Sequence, residues 1–144
     1  MRKKRPVSEV FLDASYAIAL SSVKDQYHQR AVALSEQLEL DGTRLVTTRA
    51  VILEIGNALS KQRYREAAIE LLTSLSEDPT VEIIPLPEVL FDRAFTFYQS
   101  RQDKEWGITD CISFVVMQDR GLTEALTADD HFQQAGYRAL LKEF

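Results

Sequence analysis

The sequence predicts an α/β domain: a five-stranded parallel sheet sandwiched between helices. Two observations lead there. Short apolar or β-branched runs recur along the chain, and stretches with helical periodicity separate them. Strands alternating with helices imply βαβ units and hence a parallel sheet covered on both faces. The second observation is bulk composition: 144 residues, 45% hydrophobic and 27% charged, the profile of one globular domain. A chain of this size buries about 68–70% of its unfolded surface, so its core needs neither a metal nor a disulfide.

The elements follow in order. Val10-Phe11-Leu12 is a short apolar run that stops at Asp13, as a buried strand would. Asp25 is placed to cap a helix that carries Tyr27, Ala31, Leu34 and Leu38 on one face and ends at Asp41-Gly42. Leu45-Val46-Thr47 reads as the second strand. Thr48 opens a helix with Ile52, Ile55 and Leu59 on one side, running to about Arg63, and a further helix spans about Arg65 to Leu75. Asp78-Pro79 is a turn, and Val81 to Leu86 the third strand. Pro87 suits the first turn of the next helix, which reaches about Arg101 before a loop from Asp103 to Gly107. Asp110 to Arg120 is helical and apolar nearly all round, which marks it as buried, and Gly121 is its C-cap. Glu124 to Thr127, Asp129 to Ala135 and Tyr137 to Leu141 complete the pattern as strand, short helix and strand.

Charge limits the function. Seventeen Lys and Arg stand against twenty-two Asp and Glu, a net −5. Arg2, Lys3, Lys4 and Arg5 fall in a basic tail, residues 1–6; taking these four from seventeen leaves thirteen cations against twenty-two acids, or −9, for the domain at 7–144. A nucleic-acid binder that relies on phosphate neutralisation alone should be basic. Contact with nucleic acid must here be local or metal-mediated. No apolar core follows the tail, where Val7-Ser8-Glu9 interrupts at once, and no run approaches the roughly 18 residues of a membrane span. With Cys111 as the single cysteine, a reducing cytoplasm is the expected compartment and no membrane partner is expected.

In doubly wound sheets, ligands bind outside the carboxyl ends of the strands. Asp13 closes the first strand, Asp129 follows the fourth, and Asp110 opens the most apolar helix. Glu54 lies inside the helix after the second strand, between Leu53 and Ile55, where a buried carboxylate is costly without a partner. Each acid also has a purely structural reading: Asp110 as a cap, Asp129 as turn chemistry. Taken together, oxygen donors with no Cys or His at zinc spacing point to Mg²⁺ or Mn²⁺. His28 and His131 lack any zinc pattern, and His131 is at best a first-turn residue beside the site. There is no glycine-rich phosphate loop and no nucleophile elbow. Cys111 reads as an inert core thiol. Trp106 and Tyr98 are candidates for stacking on a base, with packing as the alternative.

Four blocks carry a more specific signal: Phe11-Leu12-Asp13-Ala14-Ser15, Glu54-Ile55-Gly56-Asn57-Ala58-Leu59, Thr109-Asp110-Cys111-Ile112-Ser113-Phe114 and Leu126-Thr127-Ala128-Asp129-Asp130-His131-Phe132. Their set and order resemble the PIN-domain family, and within it the VapC-like ribonucleases of bacterial toxin–antitoxin pairs. The resemblance spans about Val10 to Leu141. It implies a metal-dependent endoribonuclease that holds Mg²⁺ or Mn²⁺ with Asp13, Glu54, Asp110 and Asp129, the first three as core ligands. It also implies an RNA substrate, a cognate antitoxin and a homodimer. Asp103 matches a further acid of the nearest subgroup, and Gly107 stands where that subgroup usually has Ser. Ser15 and Thr109 are expected to support the ligands, and Arg49 to contact RNA phosphate. Two other readings compete: a PIN-fold interaction module without turnover, and a receiver-type phospho-acceptor domain. The latter requires a pair of acids at the first strand end and a late lysine, and the chain shows neither.

Overall fold

The computed structural model describes residues 8–143; the basic tail lies outside them. Five strands, β1 (Glu9–Leu12), β2 (Arg44–Thr48), β3 (Val81–Ile84), β4 (Glu124–Leu126) and β5 (Arg138–Ala139), form one sheet in the order β3-β2-β1-β4-β5. Every pairing is parallel, with Phe11 beside Val46 and Leu12 beside Leu126. The helices are α1 (Ala14–Ser21), α2 (His28–Asp41), α3 (Arg49–Ala58), α4 (Gln62–Glu77), α5 (Glu88–Ser100), α6 (Ile108–Arg120) and α7 (Asp130–Gln134). A parallel sheet requires such crossovers between its strands. The chain winds outward from β1 to β3, then returns to place β4 on the other side of β1. The winding direction therefore reverses between β1 and β4, where a doubly wound sheet opens its ligand crevice.

The core is continuous across the sheet. Phe11, Leu12, Val46, Leu126, Ile55, Met117 and Phe132 are all within 1% of complete burial. On α6, seven successive residues from Cys111 to Met117 are buried. Phe114 meets Phe132 and Trp106 edge-on, at centroid distances of 5.0 and 5.1 Å, and each such pair contributes about 0.5–1.5 kcal/mol beyond its area. Gly121 ends α6 and Gly42 ends α2, both at φ 65°, where a side chain would be strained.

Several boundaries depart from the sequence expectation. The sequence marks no element over Ala14–Ser21, yet it forms α1 with Ala14, Tyr16, Ala17 and Ala19 buried; its apolar residues are not confined to one side, so it offers no clear period to read. Asp25 does not cap α2. Its Oδ1 accepts the Tyr27 N–H at 2.8 Å, which folds an Asx turn ahead of the helix. Thr48 does cap α3, accepting from the Val51 N–H, but α3 stops at Ala58 rather than near Arg63, and α4 runs longer, from Gln62 to Glu77. Strand β3 ends at Ile84, before Pro85, which has no N–H to give a ladder. Strand β5 keeps only Arg138–Ala139, because Leu140–Lys142 turn into a 3₁₀ helix.

Gly107 is the N-cap of α6 at φ −74° and ψ 168°, and a Cβ added there would meet nothing within 4 Å. Its N–H already donates to Asp110 Oδ2 at 3.1 Å, so a serine would complete a reciprocal capping box. Gly107→Ser is expected to raise stability by about 0.5–1 kcal/mol, through the cap and a less flexible unfolded chain. Urea unfolding midpoints check it.

Candidate metal centre

Asp13 follows β1 directly and is only 5% exposed. It can stay there because its Oδ2 accepts two hydroxyls, from Thr127 at 2.8 Å and Ser15 at 3.0 Å. Each hydroxyl has one hydrogen, so both are spent on the same carboxylate oxygen. The Thr127 oxygen in turn accepts the Asp129 N–H at 3.0 Å, and the Ser15 oxygen accepts the Ala128 N–H at 3.0 Å. The carboxyl ends of β1 and β4 are thus tied through two hydroxyls. Loss of hydration still pushes the Asp13 carboxyl above its usual range, opposed by these hydrogen bonds.

Asp110 sits in the first turn of α6, and its Oδ2 accepts from both the Gly107 N–H and the His131 ring. Burial raises its pKa against those two hydrogen bonds. Asp129 is the N-cap of α7, its Oδ1 accepting the His131 N–H at 2.8 Å. Asp110, Asp129 and His131 each offer one atom within 4.8 Å of the others. Capping and clustering therefore coincide: the structural roles open to Asp110 and Asp129 are real, and they also fix both side chains at one edge.

Glu54 differs from expectation. Its turn of α3 is not buried: Leu53 is 57% exposed and Glu54 itself faces solvent, while Val51, Ile52 and Ile55 form the buried stripe behind it. Its carboxyl is nevertheless pushed up to about 7, by partial loss of hydration and then by the charges of Asp13, Asp110 and Asp129. Acids from four separate segments, two of them beside strands β1 and β4, share one electrostatic neighbourhood at the switch point.

The other candidates distribute unevenly. The Ser15 hydroxyl donates to Asp13 Oδ2. The Thr109 hydroxyl bonds no acid among the described residues; its carbonyl accepts from Ser113. Asp103 is tied to Arg101 by two bonds of 2.9 and 3.0 Å in the loop before α6, and that guanidinium holds its carboxyl below the usual range. It is not drawn into the acid cluster. Arg49 is exposed at the start of α3, and no acid among the described residues pairs with it. Trp106 is buried, its Nε1–H donating to Gln134, so it packs rather than stacks on a ligand. Tyr98 stays exposed at the end of a stacked row with Phe91 and Phe95. Burial pushes the Cys111 thiol up to about 11, consistent with an inert core residue. Thr127 escapes the sequence reading, since it looks like any β-branched strand residue. His131, read from sequence as at best a first-turn residue beside the site, has its ring on Asp110.

Removing the Thr127 hydroxyl tests that clamp. Thr127→Val keeps the shape but leaves the Asp129 N–H and one Asp13 oxygen short of a partner, at a cost of about 1–3 kcal/mol. Equilibrium denaturation of the two proteins at pH 7.5 measures it.

Comparison with known proteins places this architecture. The PIN domain family model matches residues 10–136, and the chain belongs to the PIN domain family. Among solved structures it is similar to the Mycobacterium tuberculosis toxin VapC20, described as cleaving the sarcin–ricin loop. The TM-score is 0.77 and the identity 22%, over 89% of this chain and 95% of that one. It is also similar to FitAcB from Neisseria gonorrhoeae, with a TM-score of 0.63 and 16% identity over 90% of this chain and 95% of that one. No curated protein matches the chain. At these identities the two structures speak for the fold. No helix among the described residues is long and apolar enough to cross a membrane.

Proposed function

We propose that the chain is a metal-dependent endoribonuclease, the toxin component of a toxin–antitoxin pair. The observation that carries this reading is the convergence of Asp13, Glu54, Asp110 and Asp129, whose charges add to loss of hydration in raising the Glu54 carboxyl. Like charges gathered at one edge cost stability unless a cation offsets them. The donor set fits such a cation: hard carboxylate oxygens suit Mg²⁺ or Mn²⁺. A bound ion would activate water and stabilise charge on the scissile phosphate. It also lets a chain with net charge −5 approach an anionic strand.

The chain's own residues do the positioning. Ser15 and Thr127 hold Asp13 by one oxygen and keep that buried carboxyl from swinging. The α6 and α7 N-terminal turns present Asp110 and Asp129. Glu54, on the exposed side of α3, is free to move toward the ion. Asp13, Glu54 and Asp110 are the core ligands in this reading, and Asp129 supports a second ion or a bound water. Arg49, exposed at the start of α3, is the residue proposed to meet an RNA phosphate. In this reading the chain, as a toxin of the PIN family, has a cognate antitoxin as its protein partner and acts as a homodimer in the cytoplasm.

Neighbouring acids sharpen the test. Asp130 is 70% exposed and pairs with Lys142, so Asp130→Asn should leave RNA cleavage near wild type. Asp129→Asn should lower it about tenfold or more, since about 1.4 kcal/mol of lost transition-state stabilisation is tenfold in rate. Cleavage of labelled RNA with Mn²⁺, Mg²⁺ or chelator decides. A larger loss for Asp130→Asn reverses the assignment, and no metal-dependent cleavage by wild type favours the interaction-module reading.

A further inference from the structure

One residue ties two of the four acids together. The His131 backbone N–H donates to Asp129 Oδ1 at 2.8 Å, and its ring Nδ1 lies 2.9 Å from Asp110 Oδ2 and 3.5 Å from Asp129 Oδ1. An ionised carboxylate only accepts, so Nδ1 carries the hydrogen in the contact with Asp110. The same Oδ2 also accepts the Gly107 N–H at 3.1 Å. One oxygen of Asp110 is thus held by two donors, while no donor among the described residues engages Oδ1.

Resting on the metal-nuclease reading, we infer that His131 is a positioning residue for the metal centre: its Nδ1–H pins Asp110 by Oδ2 and reserves Oδ1 for a divalent cation. The role is separable from folding. The spacing of α6 and α7 is set next door, where the fully buried Phe132 ring meets Phe114 edge-on. The His131 ring remains 29% exposed. Without the imidazole the helices keep their packing, but Asp110 loses one of its two anchors and samples rotamers that do not serve the ion.

Three substitutions separate this role from its rivals. His131→Ala removes the donor. His131→Asn places an amide N–H near the Nδ1 position, and His131→Gln reaches instead toward Nε2. Calorimetric titration of the full chain with Mn²⁺ should show a dissociation constant about 10–100-fold weaker for the Ala variant, the usual cost of losing a ligand's hydrogen-bonding partner. Asn should restore most of the affinity, Gln should not, and the metal-free unfolding midpoints should stay close together. Equal or tighter binding by the Ala variant overturns the inference. So does rescue by Gln rather than Asn, which would make Nε2 a ligand itself. Should the Ala variant fail to fold, the Asn and Gln pair still decides. A wild-type protein that takes up no Mn²⁺ overturns the metal reading as a whole, whereas wild-type uptake with no difference among variants overturns only the role of His131.

Discussion

Replacing Asp13 by asparagine is expected to remove at least about 100-fold of the metal-dependent RNA-cleaving rate, because a divalent ion supplies several kcal/mol of transition-state stabilisation and about 1.4 kcal/mol is tenfold. The fold should survive. Asparagine has the same shape, its carbonyl oxygen can accept the Ser15 and Thr127 hydroxyls, and a neutral amide is easier to bury than the carboxylate now 5% exposed there. The amide nitrogen, however, cannot serve a cation. Single-turnover cleavage assays with Mn²⁺, paired with thermal scans in chelator, measure both sides. Full activity with an unchanged metal requirement would remove Asp13 from the site.

The second large effect is on stability. In the metal-free protein the carboxyls of Asp13, Glu54 and Asp110 all titrate above their ordinary values, Glu54 at about 7. A raised folded-state pKa means that the folded chain binds more protons than the unfolded one. This contribution therefore erodes stability as pH rises from the unfolded value, about 4.5 for Glu54, through about 7. His131 adds in the same direction: burial lowers its pKa, but the hydrogen bond to Asp110 and the charges of Asp129 and Asp110 outweigh that and raise it. The support it gives is full below its ordinary titration range and is lost as pH rises through the raised value. In chelator, the melting temperature should fall between pH 5 and pH 7.5, and Glu54→Gln should flatten that fall. The amplitude will be smaller than the Glu54 shift alone suggests, because the side chain faces water.

Mn²⁺ should reverse the loss by binding the native state alone. At 100 times its dissociation constant it adds about 2.7 kcal/mol, or about 8 °C for a domain of this size. Thermal scans across pH, with and without Mn²⁺, provide the measurement. A wild-type transition that Mn²⁺ leaves unmoved at every millimolar concentration would mean that these acids do not form a cation site.

Much of this was legible in the sequence because it depends on local chemistry. Val10-Phe11-Leu12 and Leu45-Val46-Thr47 are apolar runs too short for helices, and both lie in the sheet. Thr48 and Gly121 mark helix ends by side-chain and backbone preferences that need no tertiary partner, and both do so. The acids Asp13, Asp110 and Asp129 sit at element ends, and the parallel topology those elements imply brings such ends to one edge. What periodicity could not show was α1, whose apolar residues are not confined to one side, or which side of α3 carries Glu54, since apolar neighbours in sequence need not be buried neighbours in space.

The bonds that Thr127 and His131 make to the acids were decided by the tertiary structure alone. Thr127 reaches Asp13 across 114 positions of sequence, and His131 reaches Asp110 across 21. A hydroxyl in a strand and an imidazole in a first helical turn are ordinary residues until the reversal between β1 and β4 sets them against a carboxylate. A hydrogen bond needs its partners within about 3 Å and aligned, and no pattern along the chain encodes that distance; the packing of β1 on β4, and of α6 on α7 through Phe114 and Phe132, does.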